Sequence, residues 1–127
     1  MEVFNLKPHK KSFKVLYTIW QDPIMCVGGK TFINDILSKL GLVNCAEKLD
    51  RYPVLSNKEI EALNPDFILL STEPYPFSKR QVENWTNLFP SSRIKLVDGE
   101  YFSWYGSRLA KSKDYFQDFI SDLDLYK

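Results

Sequence analysis

Three short runs constrain this chain more than any other feature: KVLYTIW at 14–20, DFILLS at 66–71 and RIKLV at 93–97. A strand with one wet face alternates polar and apolar residues. Runs that stay apolar nearly end to end suit strands buried on both faces, which belong to parallel sheets covered by helices. The segments between them supply those helices. In KTFINDILSKLG, Ile33, Ile36, Leu37 and Leu40 fall at i, i+3, i+4 and i+7, with Gly41 placed as a stop. Ser56 and Glu59 have the spacing of a capping box, so a helix starts there and runs to Leu63, before Asn64-Pro65. Val82, Trp85 and Phe89 share one side of a helix over 78–89.

A long helix is expected from Trp104 to Leu123, with Leu109, Phe116, Phe119, Ile120 and Leu123 inward, and a further short strand near 43–47. The predicted fold is α/β: a three-layer sandwich with a small, mostly parallel sheet of three to four strands flanked by helices. Residues 1–13 are polar and basic, with Pro8 inside, and read as a lead-in arm. Residues 14–127 are expected to form a single α/β domain.

Composition excludes some classes of partner. A formal net charge of +1 argues against duplex nucleic acid, which calls for a basic face. No apolar run reaches the roughly 18 residues of a membrane span, and the N-terminal residues carry no export-signal core. Two cysteines, Cys26 and Cys45, make no disulfide framework and read as small buried hydrophobes.

Ligands of open α/β sheets bind beyond the carboxyl ends of the strands. Three segments leave those ends: 20–29, 71–77 and 98–105. All carry aromatics and carboxylates, and the third includes YFSWY, four rings in five positions. These rings either cap the open end of the sheet or present flat apolar surface to a ligand. Asp22, Glu73, Asp98 and Glu100 are open to two readings as well. They are turn formers and helix starters, or acid–base groups around a divalent cation.

Other motifs fail. VGGKT approaches a P-loop, but the pattern needs Gly at position 24, where Ile24 stands. The only histidine is His9, so neither a His-based triad nor a His-rich metal site is supported, and no nucleophile elbow is present.

VLYTIWQDPIMCVGGKTFINDIL, RYPVLSNKEIEALNPDFILLSTEPYPF and VDGEYFSWYGSR, in that order, resemble the cobalamin- and iron-siderophore-type substrate-binding proteins of ABC importers. Those proteins have two lobes joined by a helix and hold the ligand in the cleft between them. The resemblance runs from about Lys14 onward and covers only the C-terminal lobe. It implies a fragment of a longer, periplasmic or cell-surface protein whose N-terminal lobe is missing here.

By position the resemblance assigns Trp20, Asp22, Tyr75, Trp104, Tyr105, Ser107 and Arg108 to the ligand wall. The ligand it implies is an iron-siderophore, haem or cobalamin-type molecule, with no catalysis and no resident cofactor or protein-held metal. It also implies an acidic residue docking on the permease. The family position falls on Lys58, and the acid follows at Glu59, which is equally the acid of the capping box. Two rival readings stay open: a small free-standing α/β enzyme using the Asp22, Glu73 and Asp98 rim with a divalent cation, and a lobe kept only as an interaction module.

Overall fold

The structure, a computed structural model, describes residues 12–103 and 109–123. The strands are β1 (Lys14–Trp20), β2 (Met25–Cys26), β3 (Val43–Asn44), β4 (Phe67–Ser71) and β5 (Arg93–Val97). The helices are α1 (Phe32–Lys39), α2 (Asn57–Leu63), α3 (Lys79–Leu88), α4 (Gly99–Ser103) and α5 (Leu109–Leu123). β1 pairs in parallel with β4, from Val15 opposite Phe67 to Thr18 opposite Leu70, and β4 pairs in parallel with β5. The other side of β1 is shared: its first residues pair in parallel with β3, and its last pair antiparallel with β2. The sheet therefore has five strands where three to four were expected. β2 is the addition, a two-residue return after the turn at 21–24 that is too short for any periodicity to reveal.

The two faces follow from strand alternation. Val15, Tyr17, Phe67 and Leu69 pack with Ile36, Leu37 and Leu40 of α1, Phe102 of α4, and Phe116, Phe119 and Leu123 of α5. Leu16, Ile68 and Leu70 point the other way, onto Ile60 of α2 and onto Trp85 and Phe89 at α3. This is the expected three-layer sandwich. On the edge strand β5, Lys95 lays its chain across the Phe119 ring, 5.9 Å from ammonium to centroid, and reaches Asp122 at 3.4 Å. Its apolar stem is thus buried while its charge stays at the surface.

Local chemistry sets the helix limits. Thr31 caps α1 by accepting from Asn34 N–H at 3.0 Å. At α2 the capping box is complete: Glu59 N–H donates to Ser56 Oγ at 3.1 Å, and Ser56 N–H donates to Glu59 Oε1 at 2.8 Å. Asn64 ends that helix in the left-handed region at φ 49°. Buried Asn44 joins three elements by donating to Val27 O and Asn34 Oδ1 and accepting from Ala46 N–H. A buried amide is tolerated only when satisfied in this way.

The long helix is present over its described part, Leu109–Leu123, and its expected start at Trp104 lies outside the described residues. Before it, Gly99–Ser103 is already helical, where a rim loop was expected. Phe102 is fully buried among Tyr17, Tyr115, Phe116 and Phe119. Tyr101 stacks on Tyr115, rings parallel at 4.5 Å. Two of the four clustered rings thus belong to the core or its margin. Trp104 and Tyr105 lie outside the described residues.

Candidate functional site

The chain order defines where a ligand belongs. From β1 the chain crosses through α1 on one face to β3, and then through α2 on the other face to β4 on the opposite side of β1. The direction of winding reverses between β1 and β4. In open α/β sheets the crevice outside the strand ends at such a reversal is the usual binding position.

Beneath this crevice the two strand ends are tied together. Tyr17 O–H donates to Ser71 Oγ at 3.2 Å, and Ser71 O–H donates to Glu73 O at 2.7 Å. Burial pushes the Tyr17 phenol well above its ordinary range, so it remains a neutral donor. Gly99 closes against the same turn. A Cβ there would stand 2.3 Å from Ser71 Oγ and 2.8 Å from Glu73 Cγ, which explains the glycine.

Above it, Trp20 at the end of β1 and Tyr75 after β4 meet edge to face, with centroids 5.1 Å apart. Trp20 is 39% exposed, so part of its indole faces out at the rim. The pair is anchored through a ladder of rings into the core: Tyr75 on Phe77 at 4.6 Å, Phe77 on Trp85 at 5.8 Å, Trp85 on Phe89 at 5.5 Å. Gln21 bridges the same groups. The Trp85 indole N–H donates to Gln21 Oε1 at 3.2 Å, and Gln21 Nε2 donates to the Tyr75 hydroxyl at 2.6 Å. Sequence reasoning passed over Gln21 and read Trp85 as core alone. The only available signal was position, since Gln21 directly follows Trp20 at a strand end.

The sequence-predicted site residues divide four ways. Trp20 and Tyr75 are brought together. Asp22 lies in the same turn, exposed, at φ 58°. Trp104, Tyr105, Ser107 and Arg108 lie outside the described residues. Glu59 sits apart on α2, exposed, with one oxygen held by the cap.

The rim carboxylates do not converge. Asp98 Oδ1 accepts from Glu100 N–H at 3.0 Å, the Asp98 N–H donates to Tyr115 Oη at 2.8 Å, and Glu73 and Asp22 are exposed on separate turns. Among the described residues no three His, Cys, Asp or Glu side chains form a group that could hold a metal ion. Of the two readings open for these acids, the turn-former one fits the local bonds at Asp98. Each leaves a different strand end, and local turn bonds occupy one of them.

The double glycine is also accounted for. Gly28 N–H donates to Arg51 O at 2.6 Å and Gly29 N–H to Leu49 O at 2.8 Å. A Cβ at Gly28 would meet Leu49 O at 2.4 Å, and one at Gly29 would meet Glu47 O at 2.3 Å. The glycines allow two backbones to approach, and amides that a phosphate would need are already used.

A hollow of about 190 Å³ lies among Ile60, Glu61, Asn64, Pro65 and residues 89–92, at the opposite end of β4 and β5 from the rim. Among the described residues no helix is long and apolar enough to cross a membrane.

No family model matches the chain, and no curated protein sequence matches it. Solved structures do match. A possible iron-binding (periplasmic solute-binding) protein of Staphylococcus epidermidis ATCC 12228 aligns with TM-score 0.71 and 22% identity, over 91% of this chain and 46% of its own. The periplasmic heme-binding protein HutB of Vibrio cholerae aligns with TM-score 0.70 and 21% identity, over 92% and 49%. The periplasmic vitamin B12-binding protein BtuF of Vibrio cholerae aligns with TM-score 0.66 and 14% identity, over 91% and 46%. The chain thus has the fold of one half of these binding proteins, and spans about half their length.

Proposed function

We propose that this chain is a substrate-binding lobe of an ABC importer, forming one wall of a cleft for an iron-siderophore, haem or cobalamin-type ligand outside the cytoplasm. The observation that carries the reading is the pair of exposed Trp20 and half-buried Tyr75, set at the winding reversal and braced by rings down to the core. A rigid aromatic surface gives a large chelate broad contact at little side-chain entropy.

In this reading Asp22 borders the wall, and Trp104, Tyr105, Ser107 and Arg108, following α4 in sequence, extend it. Arg108 would pair with an anionic group of the ligand. Binding is capture without catalysis. Docking on a permease is part of the proposal, with Glu59 as its acid: the residue is exposed at the start of α2, and the cap engages one carboxylate oxygen.

The test is a tryptophan-fluorescence titration of the chain with haem, cobalamin and ferric siderophores, corrected for ligand absorbance. Saturable quenching by one of them, reduced in Trp20→Ala and retained in Asp22→Asn, is expected. No saturable response to any of these ligands would overturn the reading. Loss of binding in Asp22→Asn with Trp20→Ala intact would point instead to carboxylate chemistry.

A further inference from the structure

The Gln21 bridge fixes a direction of hydrogen bonding. An indole N–H can only donate, so the Gln21 oxygen must face Trp85, and its amide nitrogen then faces Tyr75. A side-chain amide that could otherwise be flipped is set by a buried indole. The Tyr75 oxygen therefore accepts, and its own proton has no acceptor among the described residues. That proton belongs to a half-buried phenol at the winding reversal, whose ring meets Trp20 edge to face.

We propose that Gln21 is a positioning residue that makes Tyr75 a dedicated hydrogen-bond donor to the ligand, so that the ligand presents an acceptor oxygen to the rim next to an apolar face. This rests on the binding-lobe reading above and narrows it. The shared chemistry is an oxygen acceptor: a carboxylate of haem, an amide carbonyl of cobalamin, or a hydroxamate or catecholate oxygen of a ferric siderophore. The relay also explains why a polar side chain is threaded through a ladder of rings, since an apolar residue at 21 would leave the buried Trp85 N–H unpaired.

The decisive variant is Gln21→Glu, which keeps the shape. The introduced carboxylate still accepts from Trp85 but can no longer donate to Tyr75. The phenol then turns its proton inward and is lost to the ligand. The experiment measures affinity of wild type, Gln21→Glu, Tyr75→Phe and the double variant for haem, cobalamin, a ferric trihydroxamate and a ferric tricatecholate, with thermal melting to verify folding. Whichever ligand the wild type binds, each single variant is expected to weaken it about five- to tenfold, the value of one hydrogen bond. The double variant is expected to lose no more than either single one.

A second readout separates positioning from packing. Protonation of the introduced carboxyl, near pH 4 to 5, restores a donor toward Tyr75. The affinity ratio of wild type to Gln21→Glu should therefore approach one as pH falls. Asp22 and Glu73, the other acids of these turns, are the same in both proteins and cancel in that ratio. If the wild type binds a ligand but folded Gln21→Glu and Tyr75→Phe bind it equally well, or their losses add, the inference fails and the binding-lobe reading stands. If the wild type binds none of the four, both fall.

Discussion

Tyr17 and Ser71, on neighbouring central strands, share a buried hydrogen bond of 3.2 Å directly beneath the rings of the rim. The platform is thus pinned where β1 and β4 end. Tyr17→Phe removes one buried bond and keeps the ring packed on Phe102. The expected cost is about 1 kcal/mol in urea denaturation. A loss below a few tenths would mean the bond contributes nothing to holding the strand ends.

Gly99 approaches the same serine closely enough that an added methyl cannot be accommodated in place. Gly99→Ala is expected to destabilise the fold by about 1–3 kcal/mol, as overpacking does. It should also shift the amide signals of residues 71–73. An alanine variant as stable as the wild type would show that the turn after β4 is soft.

The capping box gives two variants with opposite outcomes. Ser56→Ala loses the cap and should cost about 1 kcal/mol. Glu59→Gln keeps an acceptor for the Ser56 N–H and should leave stability within about 0.5 kcal/mol. The charge alone is then removed. In an importer assay on the full transport system, Glu59→Gln should reduce uptake while ligand affinity holds. Unchanged uptake would remove Glu59 from the docking role.

Buried acids that stay neutral make stability depend on alkaline pH. Burial pushes Cys26 up to about 12, Cys45 up to about 11 and Tyr115 up to about 12, and raises Tyr17 as well. Unfolded, the thiols release protons near 8.5 and the phenols near 10. Above those values the unfolded chain binds fewer protons than the native one, so stability falls as pH rises. Urea midpoints should be level up to about pH 8 and decline from there to pH 11. Replacing both cysteines with alanine should flatten the earlier part of that decline. A midpoint that rises with pH would contradict the sign.

The elements most legible in the sequence were those whose pattern is local. The runs at 14–20 and 66–71 became β1 and β4 because burial on both faces demands apolar residues, and the run at 93–97 became the half-buried edge strand β5. Ser56 and Glu59 marked α2 through reciprocal bonds that need only a spacing of three. The site was legible in part. Trp20 and Tyr75 were found from their place at strand ends, but their contact spans 55 positions and depends on the sheet.

Gln21 could not be singled out, because its role exists only once Trp85, 64 residues away, is packed beside it. β2 escaped notice because two residues have no period, and its pairing depends on the turn before it. Helical order at Gly99–Ser103 was hidden by aromatics that resembled a rim loop, whereas Phe102 is drawn into the core by Tyr17 and α5.

Whether the rim at the ends of β1 and β4 is the ligand wall can be read from amide signals in two-dimensional NMR during a titration with the quenching ligand. Saturable shifts are expected at residues 20–23 and 72–77, with those of residues 60–65 and 89–92 around the hollow at the far end unmoved. Shifts confined to that far hollow would contradict that assignment.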